Sequence, residues 1–527
     1  MLVWLLTSVP PVVPAPLAWL ILTGAGLSLA VLAALGIHRS WLALLSRRPG
    51  PTEPSRWTGK LPLVTVQLPL FNEAEVVERL LKAVGDLDYP PELLDVQVLD
   101  DSTDETRELA ARAVRRLRDR GLEVHHLLRS NRSGFKAGAL QEGLAAARGE
   151  FILILDADFV PQPGLVRELL PPFSDPGVGM VQARWDHLNE EAGLLTRCQA
   201  LLLDAHFFFE QGGRYAGGLF MNFNGTAGMW RRTALEEAGG WSWDTLTEDL
   251  DVSYRSQMQG WRFVFLPQVG VPAELPDAVR ALEVQQKRWA QGGIQAGRKV
   301  LPRLLRGGWP LRVRAEGVAH LMGHVAHPLT LLLGVLLLPA AVARSSLGLE
   351  RFLILDLVAF AGASLSFLAI YISAGRTRER PFHRLVPRAA ATMALGVGLT
   401  ASVSRAVWRG FRGGTADGFI RTPKRGDGSG RYRPRGSRTD RSMKLALLVW
   451  MGVSVALAAL WGYWGSIPFL LLFTVGYAWV LAADGPGPQG RWQRAATAAN
   501  SFPSPGSLPS PGSLPSPGSL PSSGSLP

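Results

Sequence analysis

The sequence predicts an α/β domain with a doubly wound parallel sheet, joined to a membrane region made of α-helices. Two observations lead to this fold class. Between residues 60 and 160, short apolar runs alternate with stretches in which apolar residues recur at helical spacing. On both sides of the α/β region lie long charge-free segments, and the chain as a whole is 47% hydrophobic. Segments of this length and composition are typical of helices that span a bilayer.

The α/β region begins near residue 60, and we place the domain at residues 60–297. Strands are predicted at residues 63–68, 93–99, 124–128 and 151–155, and helices between them at residues 74–84, 105–120 and 136–149. Strands that alternate with single helices form βαβ units, and the strands of such units are parallel. The fourth strand, FILIL, is apolar throughout, as expected of a strand that is covered on both faces of the sheet.

Long apolar segments predict five membrane spans. The first falls within an N-terminal helix and linker at residues 1–59. We assign residues 298–344 to an interfacial helix followed by a span, and residues 345–484 to further membrane and interfacial helices. Residues 485–527 repeat SPGSLP, cannot bury a core and are predicted to be disordered. The predicted spans are residues 16–37, 326–342, 352–374, 445–463 and 467–483.

Residues 389–404 are apolar but form a shorter segment. Arg388 and Arg405 bound it, and at about 1.5 Å per residue it falls short of the hydrocarbon core of a bilayer. We therefore predict that it lies at the cytoplasmic interface, next to a basic loop at residues 405–444. Positively charged residues are retained on the cytoplasmic side of membrane proteins. The same rule places the α/β domain in the cytoplasm, because basic residues follow the first span at Arg39, Arg47 and Arg48.

Composition and charge exclude several classes of protein. The net charge is +12, but the basic residues cluster beside apolar segments, which indicates a bilayer rather than a nucleic acid as partner. Cys198 is the single cysteine, which excludes an internal disulfide and fits a reducing compartment. No glycine-rich dinucleotide or P-loop motif follows a predicted strand. We expect an integral protein of the bacterial plasma membrane.

Acidic and amide side chains follow three of the four predicted strands. The carboxyl ends of parallel strands meet at one edge of a sheet, which is where α/β proteins bind ligands. A D-x-D pair at such an end can share a divalent cation, and Mg²⁺ is usually held by one or two carboxylates together with substrate phosphates. Turn capping explains one such pair, but three strand ends together favour a site. The residues are Asn72, Glu73, Asp100, Asp101, Asp156 and Asp158.

Three further groups are candidates for the same site. Lys136 opens a predicted helix, and the amide groups at a helix start favour anions. Glu248 and Asp249 begin another helical pattern, where acids are also common as caps. The segment ALEVQQKRWAQGG contains Gln285, Arg288 and Trp289, which share one face of a helix whose Trp would otherwise pack in a core.

Taken in chain order, these motifs resemble those of glycosyltransferase family 2, and in particular the membrane-embedded β-glycosyltransferases of the cellulose synthase superfamily. The family pattern is an Asp, a DxD, a TED and a QxxRW, and all four are present. The segments NFNGTAGMWR (222–231) and ELPDAVRALEVQQKRW (274–289) are most similar to the cellulose synthase-like A branch, whose members make mannan and glucomannan. The resemblance is dense over about residues 60 to 300 and implies a GT-A fold for the α/β domain.

The resemblance also implies a role for each motif. Asp249 would be the catalytic base, with Glu248 beside it, and Asp156 and Asp158 would hold Mg²⁺ or Mn²⁺. Gln285, Arg288 and Trp289 would contact the acceptor and the diphosphate. The donor nucleotide sugar would meet Asn72, Glu73, Asp100, Asp101, Lys136 and Asp156. The segment GFIRTPK (418–424) is similar to a gating loop, with Phe419, Thr422 and Lys424 at its positions, but Arg421 replaces the family's valine.

The function expected is inverting, metal-dependent transfer of a sugar from a UDP-glucose or GDP-mannose type donor to a growing β-linked polysaccharide, coupled to translocation through the membrane. Two alternatives remain open. A lipid of the ceramide or diacylglycerol type is an alternative acceptor, because QxxRW occurs in such enzymes too. A membrane protein that binds a nucleotide sugar without transferring it is the other, and the intact set of acids argues against it.

Overall fold

The computed structural model of the protein describes residues 10–50, 57–350, 353–413 and 438–483. A long helix, α1 (Ala15–Leu45), precedes the α/β domain. The domain consists, in chain order, of β1 (Val64–Leu70), α2 (Val77–Gly85), β2 (Leu94–Asp100), α3 (Thr106–Asp119), β3 (Glu123–Leu128), α4 (Phe135–Ala146), β4 (Phe151–Ile154), α5 (Leu165–Leu169), β5 (Val178–His187), α6 (Leu194–Ala205), α7 (Gly212–Ala216), β6 (Gly228–Arg231), α8 (Arg232–Glu237), α9 (Glu248–Met258) and β7 (Arg262–Ala273).

The predicted strands and helices up to residue 155 are confirmed within a few residues. The strands of the described region form one sheet in the order β3-β2-β1-β4-β6-β5-β7. The pairs β2 with β3, β1 with β2 and β1 with β4 are parallel. The first four strands therefore end at the same edge, as the alternation of strands and helices predicts.

The prediction of a wholly parallel sheet is wrong beyond β4. Strand β6 runs antiparallel to both of its neighbours, β4 and β5, whereas β5 and β7 are parallel. The sheet is thus mixed, which is the arrangement of the GT-A class. Strand β6 is only four residues long, so its sequence, GMWR, is too short to show a periodicity from which a strand is predicted.

Apolar side chains on the two faces of the sheet pack into two cores. Val66, Leu153 and Val181 belong to the core under α2 and α3, and they are fully buried. Ile152 and Ile154 alternate with Leu153 along β4 and belong to the opposite core, together with Trp230. Because both faces are covered, β4 is apolar throughout, as a central strand of a doubly covered sheet should be.

Seven α-helices follow β7 in the described residues. They are α10 (Val279–Arg306), α11 (Leu311–Leu321), α12 (Ala326–Ser346), α13 (Leu353–Arg376), α14 (Phe382–Arg412), α15 (Arg438–Leu460) and α16 (Ile467–Ala483). Helix α10 runs without a break through residue 297, where we placed the end of the domain. Its Ala290 and Ile294 pack against Leu399 of α14 and Val480 of α16, so the α/β domain and the membrane helices share one apolar core.

Five helices of the described residues are long and apolar enough to cross a membrane, which supports an integral membrane protein. They are Ala15–Leu45, Gly323–Ser346, Phe382–Arg412, Thr439–Leu460 and Trp464–Ala483. Four of them contain predicted spans. The fifth, α14, contains the segment that we assigned to the interface. Of the predicted span at residues 352–374, the described residues 353–374 are helical and belong to α13.

The argument that residues 389–404 are too short for a span is not supported. They belong to α14, which has 31 residues and is long enough to cross a membrane. The helix continues past the two arginines that bound the segment, since arginine is a good helix former, and both arginines have ion-pair partners. Arg388 pairs with Glu190 at 3.2 Å, and Arg405 pairs with Asp440. In its most apolar stretch 67% of the residues are buried, against 22–33% in the other four helices, so α14 packs mainly against protein.

The prediction of a loop over residues 405–444 is wrong at both ends, because residues 405–412 belong to α14 and residues 438–444 to α15. The side of the membrane on which this basic segment lies stays a prediction. A cysteine placed at Ser429 in a Cys198→Ser background should react with an impermeant thiol reagent only after the membrane is permeabilised, because basic loops stay in the cytoplasm. Cys198 itself is buried, so its replacement removes a background thiol that is already shielded. Labelling of Ser429→Cys in intact cells would place the loop outside and require a different number of spans.

Candidate active site

The end of β4 places the D-x-D pair beside a half-buried lysine. Lys136, in the first turn of α4, donates a hydrogen bond to Asp156 Oδ1 at 2.5 Å and another to the carbonyl of Gly225 at 2.9 Å. The amide of Asp156 donates to Thr226 Oγ1 at 2.9 Å. Asp156 is half-buried and Asp158 is buried. The start of α4 therefore lies next to the end of β4, as predicted. Through its two hydrogen bonds, Lys136 connects both to the loop before β6.

Asp249 also lies close to Gly225. A Cβ added at Gly225, where φ is +82°, would lie 3.0 Å from Asp249 Oδ2, so glycine serves both the backbone conformation and the close approach. Asp249 Oδ1 accepts a hydrogen bond from the amide of Leu250 at 2.8 Å. Removal from bulk water and the neighbouring Glu248 raise the pKa of Asp249 to about 7, although that hydrogen bond, Lys136 and Arg288 favour the ionised form.

Lys136 remains charged in this environment. Removal from water lowers the pKa of a lysine, but Asp156, Glu248 and Asp249 together outweigh it, so the pKa of Lys136 is raised. One cation thus interacts with carboxylates from both the D-x-D and the TED motifs. The structure brings together motifs that are far apart in sequence, as the resemblance implies.

Helix α10 carries the QxxRW motif and packs against the start of α9. A Cβ at Gly292 would lie 2.5 Å from Thr247 Cγ2, and Gln295 Oε1 accepts a hydrogen bond from the amide of Leu246 at 3.0 Å. These contacts fix α10 against the TED segment. Arg288 is close enough to Asp249 to favour its ionised form.

Trp289 belongs to an aromatic group beside the D-x-D pair. Its ring centroid lies 6.4 Å from that of Trp185 on β5, and Trp185 lies 5.4 Å from Phe159, the residue after Asp158. Gln285 is one helical turn before Trp289 and is half-buried. The QxxRW residues therefore stand next to the acids at the end of β4, with aromatic faces available to a sugar ring.

The residues predicted to contact the nucleoside are at the ends of β1 and β2, and most already have protein partners. Asp100 is fully buried, and it accepts hydrogen bonds from the His126 ring at 2.8 Å and from the Ser102 amide at 2.9 Å. Although burial opposes ionisation, these hydrogen bonds lower the pKa of Asp100. Asn72 adopts φ of +54° and accepts a hydrogen bond from the Thr103 amide at 2.8 Å.

Glu73 is half-buried and its carbonyl accepts the amides of Val76 and Val77. Asp101 pairs with Arg129, whose Nε lies 2.7 Å from its Oδ1. Arg132 from the same loop stacks over the ring of Phe71. Sequence reasoning missed both arginines. They lie in LLRSNRSGFK, directly before Lys136, so the position of this loop at the edge of the sheet was the available signal.

The three residues of the gating segment, Phe419, Thr422 and Lys424, lie outside the described residues. Their role stays a prediction.

Comparison with known proteins supports the assignment of the domain. The family described as "Glycosyltransferase like family 2" matches residues 62–292. Glucomannan 4-beta-mannosyltransferase 2 of Arabidopsis thaliana is 41% identical over 254 residues, which cover 47% of this chain and 48% of the relative. Glucomannan 4-beta-mannosyltransferase 1 of Oryza sativa subsp. japonica is 39% identical over 281 residues, covering 51% and 54%. The chain thus spans about half the length of the curated relatives it matches.

Among solved structures, a mannosyltransferase from Pyrobaculum calidifontis in complex with GDP-Man and Mn²⁺ has a TM-score of 0.47 and 22% identity, covering 74% of this chain and 99% of that one. The matched family region contains every acid of the site described above. With its mixed sheet and these motifs, the α/β domain of the chain is a GT-A glycosyltransferase domain of family 2.

Proposed function

We propose that the protein transfers a hexosyl residue from a nucleotide sugar to the growing end of a β-linked polysaccharide. The observation that carries the proposal is the cluster of Lys136, Asp156, Asp249 and Arg288, in which a carboxylate with a raised pKa lies beside two cations. Among donors of the GDP-mannose and UDP-glucose classes we favour GDP-mannose, because the relatives named above are glucomannan 4-beta-mannosyltransferases.

A divalent ion fits the end of β4. Asp156 and Asp158 provide carboxylate oxygens, the ligands that Mg²⁺ and Mn²⁺ prefer. No group of three or more His, Cys, Asp or Glu side chains suited to a metal was found in the part of the chain that the structure describes. Two carboxylates with the donor's phosphates and water are a usual set for Mg²⁺. When bound, the ion would act as a Lewis acid on the leaving diphosphate.

The chain's own residues provide the remaining chemistry. Lys136 places positive charge beside the D-x-D pair and Arg288 places it near Asp249, and both can bind a diphosphate. Asp249 accepts the proton of the attacking acceptor hydroxyl, and a base with a pKa of about 7 is well matched to that task. The new bond forms opposite the breaking one, so an α-linked donor gives a β-linkage. One base suffices, unlike the two carboxyl groups of a glycosidase.

We further propose that the product chain stays bound after each transfer and leaves through the membrane helices. Trp289 and Trp185 offer aromatic faces next to the acids, and flat apolar faces suit sugar rings. Helix α10 extends from this position into contact with α14 and α16, which gives the polymer a protein surface from the site towards the membrane. Cytoplasmic orientation of the domain and a bacterial plasma membrane stay predictions, and the relatives above are plant proteins.

The donor and the acceptor can be tested together with membranes that contain the full chain. Radiolabelled GDP-mannose, GDP-glucose and UDP-glucose are supplied separately, and the products are divided into chloroform-extractable and alkali-soluble fractions. We expect GDP-mannose to give an alkali-soluble polymer that endo-β-1,4-mannanase degrades. Membranes that carry Asp249→Asn serve as the matched blank.

Label found only in the chloroform fraction would replace the polysaccharide acceptor by a lipid. Polymer made from UDP-glucose alone would replace the donor. If no donor gave a product that depends on Asp249, the protein would bind nucleotide sugars without transferring them, and the proposed function would be wrong.

A further inference from the structure

We propose that the protein binds the phosphate of an anionic phospholipid headgroup in a cleft that is separate from the transferase site. The cleft has a volume of about 800 Å³ and lies between the ends of α1 and α13 and the α/β domain. Three arginines line it: Arg47 and Arg48 from the turn that follows α1, and Arg376, the last residue of α13. We call it the arginine cleft.

The positive charge of the arginine cleft is not neutralised within the described residues. Arg47, Arg48 and Arg376 are exposed, and none of them forms an ion pair or hydrogen bond of its side chain with another described residue. The neighbouring arginines differ, because Arg378 pairs with Asp186 at 2.8 Å and Arg380 with Asp204 at 2.8 Å. Guanidinium groups that come from two separate segments and line one cleft are suited to a phosphate, which arginine binds in a bidentate manner.

Both ends of the cleft are fixed on the domain. A Cβ at Gly213 of α7 would lie 2.3 Å from the carbonyl of Leu42, so α1 approaches α7 closely just before its end. A Cβ at Gly50 would lie 2.1 Å from Tyr215 Cε1, so the chain after Arg48 is also held against the domain. On the other side, the ion pairs of Arg378 hold the end of α13. The three arginines are therefore positioned by the fold rather than by chance on a loose surface.

The surroundings favour a lipid over a soluble phosphate. Helix α1 is long and apolar enough to span a membrane, and α13 was predicted as a span, so the ends of both would lie at the level of the headgroups. Basic pockets between membrane helices on the cytoplasmic side bind anionic headgroups. The same cleft is lined by Phe208, Phe209 and Ile372, whose apolar surface is suited to the glycerol and the first acyl carbons but offers nothing to a free phosphate.

The inference is tested by titrating the full chain, in a neutral detergent, with a fluorescent short-chain phosphatidylglycerol and following anisotropy. The variant Arg47→Gln/Arg48→Gln/Arg376→Gln should bind about tenfold more weakly or worse, since each basic residue contributes to the attraction. The matched control is Arg303→Gln/Arg306→Gln/Arg312→Gln, which removes the same charge from exposed arginines of α10 and α11 that do not line the cleft. The control should bind like the wild type.

Equal losses in both triple variants would overturn the proposal, since attraction would then depend on overall charge alone. No loss in the first variant would overturn it as well, since the three arginines would then not bind the lipid. If the first triple variant fails to fold, Arg376→Gln alone is judged by the same comparison against Arg306→Gln. Equal binding of fluorescent phosphatidylcholine would reduce the cleft to an apolar surface. Displacement of the lipid by inorganic phosphate at an equal dissociation constant would identify a soluble anion as the ligand and overturn the lipid assignment.

Discussion

Replacing Asp249 by Asn is expected to lower the rate of sugar transfer by about 10²–10⁴-fold, which is the usual contribution of a general base, while donor binding survives. An amide has nearly the same shape as the carboxylate but cannot accept the acceptor's proton. Donor affinity is measured by calorimetry and transfer by incorporation of labelled sugar. The matched control is Asp244→Asn in the loop before α9, where the carboxylate is exposed and pairs with Lys299.

The raised pKa of Asp249 adds a dependence on pH. Below a pH of about 7 the carboxyl group is protonated and cannot act as a base, so the wild-type rate should fall as the pH is lowered through that value. Retention of more than about a tenth of the wild-type rate by Asp249→Asn would contradict the assignment, because a lost base costs at least ten times more than that. So would a wild-type rate that is flat between pH 6 and 8.

A separate readout shows whether the variant merely unfolds. The folded protein keeps a proton on Asp249 up to about pH 7, whereas an unfolded Asp releases its proton near pH 3.8. The free energy of unfolding of the wild type should therefore fall as the pH rises from about 3.8 to about 7. Asp249→Asn removes that dependence and should be no less stable than the wild type at neutral pH. A variant that is inactive and also markedly less stable would leave the base role without support.

Removal of divalent ions is expected to abolish transfer, and Mg²⁺ or Mn²⁺ should restore it. The physical reason is that Lys136 and Arg288 alone carry less charge than a diphosphate leaving group requires, and the carboxylates at the end of β4 are suited to a further cation. Activity is measured after EDTA treatment and after each ion is added back. Asp158→Ala should require far more metal for half-maximal activity.

The control for the carboxylate is Asp119→Ala. Asp119 is an exposed acid at the end of α3, the helix that joins β2 to β3, and neither of these strands is adjacent to β4 in the sheet. It should respond to metal like the wild type. Undiminished turnover in EDTA, or an equal metal requirement in Asp158→Ala and the wild type, would show that the D-x-D pair has another role. Manganese bound to the protein with the donor present, followed by electron paramagnetic resonance, gives a readout that is independent of turnover.

The sequence predicts most of the first half of the domain and the composition of the site. The strands up to β4 are long, apolar and separated by helices, so their order and direction follow from general rules of α/β folds. The acids Asp156 and Asp249 are recognised because they belong to a set of motifs in a fixed order. In both cases the signal is local or repeated along the chain.

Contacts between segments that are far apart in the chain could not be predicted from the sequence. The bond from Lys136 to the carbonyl of Gly225 and the pairing of Asp101 with Arg129 depend on how loops meet at the edge of the sheet. The partners of Arg388 and Arg405 on α14 also lie in other elements. A charged residue ends an apolar run in the sequence, but it does not end a helix, because arginine itself favours the helical conformation.

The position of β6 has a consequence for how the polypeptide acquires its shape during synthesis. Strands β1 to β4 can pair as soon as they have emerged, but one edge of β4 has no partner until Gly228–Arg231 has been made. Strand β5 is made before β6, yet it joins the sheet only through β6 and β7. During that interval the nascent chain exposes an open, apolar strand edge, the feature by which immature proteins aggregate. Because Asp156 precedes β6 in the chain and Asp249 follows it, β6 has already been synthesised when the last acid of the reactive centre is added.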